Sequence, residues 1–227
     1  MKTFHELQEG VYDPNIFKAI YLAGGPGSGK SYVVRKTTGG TGLRIVNSDD
    51  AFEVLLKKAN LSVKMPDEEF EKRAPLRQRA KTLTTVRHAN YIEGRIGLIL
   101  DGTGKDYDRI AKQATELKQI GYDVHMIFVN TSLDTALERN AKRARSVPES
   151  IAVQSWKEVQ SNIGKFSQYF RQNFVVVDNN NSDEDVMSPV FKQIKGLLKK
   201  PVRSPLAKQW VTSEMKRRGI TRRPKGW

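Results

Sequence analysis

Residues 24–31, Gly-Gly-Pro-Gly-Ser-Gly-Lys-Ser, satisfy the pattern G-x-x-x-x-G-K-[ST], and no other stretch limits the fold of this chain so narrowly. A loop of this kind curls so that backbone N–H groups ring phosphate oxygens, which glycine permits at positive φ. The helix that follows begins with its positive dipole end on the phosphates. On this pattern Gly25, Gly27, Ser28 and Gly29 form the cradle, Lys30 reaches the β- and γ-phosphates, and the Ser31 hydroxyl ligates Mg²⁺. The plainer alternative is a Gly-rich turn that precedes a Lys-Ser pair by chance. Context argues against it, because residues 19–22 are an apolar run suited to a buried strand and residues 32–36 can continue as a helix. The chain is expected to bind a nucleoside triphosphate.

Apolar runs at 19–22, 43–46, 96–100, 124–129 and 174–177 read as five short strands. Helical stretches separate them. One is long and polar, reaching about residue 93 and interrupted or kinked at Pro75; one carries Ile110, Ala114, Leu117 and Ile120 on a single face. Others run from Leu133 to about 145, capped by Thr131 or Ser132, from Pro148 to about 170, and over 184–199. Strands alternating with helices predict an α/β fold, a mainly parallel five-stranded sheet with helices on both faces. Right-handed crossovers bring the carboxyl ends of the strands to one rim, where ligands of such sheets bind. Residues 1–15 read as an arm, 1–200 as the main domain and 201–227 as a basic tail.

The net charge of +14 is uneven: from Lys192 onward there are twelve lysines and arginines against the single Glu214. Such a segment, with Trp210 and Trp227 among its cations, suits a phosphate backbone. The absence of cysteine excludes a disulfide scaffold and a thiol nucleophile, and the spacing of His5, His88 and His125 suggests no metal cluster. No run is apolar enough for a membrane span or a signal peptide, so a cytoplasmic protein is expected.

Three sets of polar residues could do chemistry beside a triphosphate. Asp49 and Asp50 follow the second strand; either could cap the next helix, and Asp49 could also accept the proton of an attacking hydroxyl. Asp101 follows the third strand, where a carboxylate can hold Mg²⁺ through water or orient an acceptor, or simply cap a loop. Arg139 and Arg143, four residues apart on a helix, share a face and could close on the phosphates as a lid, or form a solvated basic face. Asp101-Gly102-Thr103-Gly104 fits the D-x-x-G of GTPases, but no N-K-x-D follows to read guanine.

The loop, then Val46-Asn47-Ser48-Asp49-Asp50, then Leu100-Asp101, then Leu137-Glu138-Arg139-Asn140-Ala141-Lys142-Arg143 with Val147-Pro148, resembles the phage polynucleotide kinases over about residues 17–165. The zeta-toxin kinases are more distantly similar. The resemblance implies a P-loop kinase fold, ATP and Mg²⁺ as cofactors, Asp49 as general base, Asp101 arranging the acceptor, and Arg139 and Arg143 on the nucleotide phosphates. It also implies a nucleic-acid acceptor, DNA favoured, with a 5′-hydroxyl end or a hydroxymethylated base as the reacting group. The segment 48–53 departs from that family in lacking an arginine to grip the acceptor, and Arg73, Arg77, Arg79 or Arg87 stand as replacements. Two other readings stand beside it: a zeta-toxin-like kinase of a nucleoside or nucleotide sugar, and a nucleic-acid-binding NTPase that hydrolyses without transfer.

Overall fold

The computed structural model describes residues 10–63, 66–142, 148–181 and 187–221. Its centre is a five-stranded, wholly parallel sheet: β1 (Lys18–Ala23), β2 (Arg44–Val46), β3 (Leu98–Asp101), β4 (Asp123–Asn130) and β5 (Phe174–Asp178), in the order β2-β3-β1-β4-β5. All five expected strands are present, with ends within two residues of the apolar runs. Every residue of β1 is buried, as a central parallel strand covered on both faces requires.

Alternate strand residues feed two cores. On one face Ile20, Leu22, Ile99, Ile127 and Val177 pack with Val33 and Val34 of α1 (Lys30–Thr38) and with Val190 and Ile194 of α8 (Met187–Lys199). On the other, Tyr21, Leu100, Met126 and Phe128 meet Ile110, Ala114 and Leu117 of α4 (Tyr107–Gln119), together with Phe166 and Phe170 of α7 (Ile163–Phe170). A small third cluster, Phe52, Leu56 and Ala80, joins α2 (Ser48–Lys58) to α3 (Phe70–Glu93). The remaining helices are α5 (Leu133–Ala141), α6 (Glu149–Ser161) and α9 (Pro205–Arg217).

Several local expectations are corrected. Within the expected arm, Val11, Asp13 and Asn15 are buried, and the Asp13 carboxylate accepts from the backbone N–H groups of Asn15 and Gly97. Helix α3 runs unbroken through Pro75; a proline in the second turn forfeits one backbone bond without ending the helix. The stretch after Pro148 is two helices, parted at Asn162, whose side chain donates to the carbonyls of Gly104 and Lys105. Much of the basic stretch after residue 200 is helical. Ser204 caps α9, Pro205 occupies its first turn, and Ala207, Val211 and Met215 are buried. Trp210 meets Phe17 edge-on at 5.6 Å and carries the Arg95 guanidinium over its ring. Phe17 and Tyr122 immediately precede strands and Arg95 lies three residues before β3, so α9 sits at the amino-terminal rim of the sheet, opposite the phosphate loop.

Candidate active site

The chain crosses the sheet in one direction from β1 to β2, and in the other from β3 to β4. The crevice outside the carboxyl ends of β1 and β3 is therefore the switch point at which such sheets bind ligands. Leu22 pairs in register with Asp101, which puts the phosphate loop and the acidic end of β3 side by side. Two backbone bonds tie them, Gly24 N–H to the Thr103 carbonyl and Gly102 N–H to that of Leu22, both 3.0 Å.

The loop has the form its sequence demands. Gly29 caps α1 with φ 82°, and Gly27 has φ 75°. A Cβ on Gly27 would lie 2.1 Å from the Ala136 carbonyl oxygen, so the loop is pressed against the backbone of α5. Ser28 is buried, and its hydroxyl oxygen has no protein partner. A curled loop at a helix N-terminus, closed to side chains and holding an unsatisfied buried hydroxyl, fits a bound phosphate chain. Gly27→Ala meets both strain and a backbone clash, and is expected to lower Tm by several degrees and to abolish nucleotide binding. Thermal unfolding and calorimetric titration with ATP measure the two effects.

Asn47 organises the acidic side. It is the N-cap of α2: its Oδ1 accepts from Asp49 N–H at 2.7 Å, while its Nδ2 donates to Asp101 at 2.8 Å. One amide thus locks two carboxylate-bearing segments together, and the cap is Asn47 rather than either aspartate. Burial raises the Asp101 carboxyl above the usual carboxylate value; Lys30 opposes this, Asp50 adds to it, and the Asn47 hydrogen bond opposes it. Asp50 is raised too, by burial and then by Asp49 and Glu53, with Arg35 opposing. The Lys30 charge is therefore close enough to Asp101 to favour its ionised form.

Asp49 pairs with Arg77 of α3, Oδ1 to Nη1 at 2.6 Å, and the guanidinium lies over the Phe52 ring, 5.0 Å from its centroid. Arg77 is one of the four arginines that the sequence offered in place of the missing one. Both residues line a groove of about 960 Å³ that runs under α3 and α4 to Tyr21 and His88. Lys81, Lys105 and Arg109 line its walls. Tyr21 Oη and His88 Nε2 are buried there with no protein partner. Burial lowers the His88 imidazole and raises the Tyr21 phenol, so both are neutral hydrogen-bonding groups at neutral pH.

Arg139 lies on the far side of the loop, donating to the carbonyls of Asn179 (2.6 Å) and Asn180 (3.4 Å). Asn179 in turn donates to the Ser28 carbonyl at 2.8 Å, so Arg139 reaches the loop through Asn179. Arg143 and Val147 lie outside the described residues. Trp156 packs beside Gly25 and donates to the Thr131 carbonyl at 2.9 Å. Sequence reasoning assigned no part to Asn47, Asn179 or Trp156. For Asn47 a signal existed, an Asn one residue before a Ser-Asp-Asp helix start; for the other two, contact depends on crossovers that no local pattern encodes.

Residues 8–187 match the zeta toxin family. The chain belongs to that family. Among curated protein sequences none matches this zeta toxin family member. Solved structures share its P-loop kinase fold. A candidate kinase from Chloroflexus aurantiacus J-10-fl is 17% identical over 79% of this chain and 97% of its own, with a TM-score of 0.56. The AvrRxo1-ORF1:-ORF2 complex with ATP matches at 15% identity over 74% of this chain and 56% of that one, TM-score 0.56. The Pnkp1/Rnl/Hen1 RNA repair complex matches at 18% over 67% and 47%, TM-score 0.51. Of the two families that the sequence resembles, the one matched here is the zeta toxin family. Among the described residues no helix is long and apolar enough to cross a membrane.

Proposed function

We propose that this zeta toxin family protein is an ATP- and Mg²⁺-dependent kinase that moves the γ-phosphoryl group to a hydroxyl of an acceptor seated in the groove beside Asp49. The observation that carries this reading is the Asn47 bridge, which holds Asp49 and Asp101 together next to the phosphate loop and at the mouth of that groove. Asp49 takes the proton of the attacking hydroxyl. Lys30 and the loop amides would neutralise the phosphates, Ser31 and Asp101 would hold Mg²⁺, and Arg139 would steady the loop through Asn179. The ATP in the AvrRxo1 complex supports adenosine triphosphate as the donor.

A small acceptor bearing an anionic group fits the groove best. Its volume lies in the range of small-ligand sites, Arg77 and Lys81 stand beside Asp49 among its lining residues, with the acids Asp106 and Glu116 further along, and Tyr21 and His88 offer neutral partners within it. A nucleic-acid acceptor is the second reading, favoured by those cations and by the net charge of +14. The packing of Trp210 against Phe17 and the place of α9 at the opposite rim remove one support for it.

The test is incubation with γ-labelled ATP and two acceptor panels, nucleosides with nucleotide sugars and 5′-hydroxyl oligonucleotides. Label is expected on the first panel, with turnover changing less than about threefold between 50 and 200 mM salt, whereas a strand held by several phosphates would lose far more. Label on the oligonucleotides alone would reverse the choice of acceptor, and label on neither would sink the kinase reading.

A further inference from the structure

The contact between Asp49 and Arg77 sets a problem for a base. A carboxylate must present an oxygen to the hydroxyl it deprotonates, yet here the nearer oxygen is occupied by a guanidinium at 2.6 Å. The pair is not a buried structural tie. Asp49 is 55% and Arg77 35% exposed, and the partners come from different helices, which meet through the Phe52–Leu56–Ala80 cluster and the partly buried Ala51, Leu55 and Leu76 around it. In the same pose the Arg77 guanidinium lies over the Phe52 ring, a contact at the groove mouth that does not involve the Asp49 carboxylate. The backbone N–H of Asp49 is held by the Asn47 cap, so the place of the base at the head of α2 does not depend on Arg77.

We propose that Arg77 is a latch on Asp49: in the absence of acceptor it occupies the carboxylate and suppresses idle hydrolysis of the bound triphosphate, and an anionic group on the acceptor draws it away. This rests on the reading of Asp49 as general base. The reaction restrained is attack by water. An O–H proton passes to the Asp49 carboxylate, the water oxygen bonds to the γ-phosphorus, and the bond from the γ-phosphorus to the β,γ-bridging oxygen breaks. Nucleoside diphosphate and inorganic phosphate leave, and Asp49 then returns its proton to solvent. In transfer, the acceptor hydroxyl stands where that water stood. The latch makes deprotonation conditional on an acceptor whose charge competes for Arg77, so an uncharged hydroxyl compound that merely fits the groove is phosphorylated poorly. Arg77 is a positioning residue in this account, because it acts through Asp49.

The strength of such a contact bounds the effect. A partly exposed ion pair holds its closed state over the open one by a factor of up to about five. Arg77→Gln is therefore expected to raise kcat for acceptor-free ATP hydrolysis by about three- to fivefold, with KM for ATP unchanged. Arg77→Lys, which keeps the charge on a shorter stem, gives a smaller rise. Asp49→Asn and the double variant Asp49→Asn/Arg77→Gln hydrolyse slowly and equally, since the latch has nothing left to cover. Phosphate release with ATP alone reads all four, and an unchanged KM for ATP certifies that each variant is folded. If Arg77→Gln and Arg77→Lys both bind ATP normally and hydrolyse it no faster than the wild type, the latch is overturned. If Asp49→Asn hydrolyses as fast as the wild type, the assignment of the base fails instead, and the two failures are told apart.

Discussion

Asp49→Asn is expected to slow phosphoryl transfer by about 10²–10⁴-fold while leaving ATP affinity within about twofold. The asymmetry follows from where the side chain sits. Asp49 is on the first turn of α2, on the groove side, whereas the loop between β1 and α1, with Lys30 and Ser31 at the head of α1, is the proposed seat of the triphosphate. The amide keeps the size and the backbone bond to Asn47, so the cap and the Asn47–Asp101 bridge survive. What is lost is the capacity to accept a proton. Asp50→Asn is the control: Asp50 is not among the groove-lining residues, and an effect below about tenfold is expected. Initial rates with labelled ATP, paired with calorimetric titration of the nucleotide, separate the two quantities. Transfer that survives in Asp49→Asn would give the base to another group.

The parts of this architecture that could be read in advance are those encoded locally. The loop is legible because each position answers a separate physical demand, and five parallel strands are legible because burial on both faces leaves short unbroken apolar runs such as Ala19–Ile20–Tyr21–Leu22. Asp49 and Asp101 could be placed because a parallel sheet sends every strand end to one rim. Helix α9 was hidden by its own charge. Its apolar positions 207, 210, 211 and 215 follow a helical spacing behind a Ser-Pro start, but the lysines and arginines among them read as a tail. The acceptor side was legible only as a choice of four arginines. Which of them faces Asp49 depends on how α3 lies across α2, and that is set by three buried residues, Phe52, Leu56 and Ala80, rather than by any motif.

Asp123→Ala carries the largest expected loss of stability, about 3 kcal/mol. Lys18, the first residue of β1, has a side chain only 2% exposed, and its ammonium meets the Asp123 carboxylate at 2.7 Å. His125 Nε2 lies 3.1 Å from the other carboxylate oxygen. Removing the aspartate strands a cation in the core, whereas Lys18→Met leaves a carboxylate one-third exposed that water can still reach; the second change should cost less than half the first. The pH dependence has a definite sign. Burial would raise the Asp123 carboxyl, but the His125 imidazole at 3.1 Å and the Lys18 ammonium outweigh it and hold it well below the usual carboxylate range. Its contribution is therefore complete above the unfolded-state value of about 3.9 and is lost only as pH falls towards the lower folded-state value. Urea unfolding of wild type and Asp123→Ala should show the same difference at pH 7 and pH 5, and a smaller one at pH 3. A difference that already shrinks between pH 7 and pH 5 would mean that the pair does not hold the carboxylate down. In that case Lys18 would owe its place at the head of β1 to packing of its stem against the sheet.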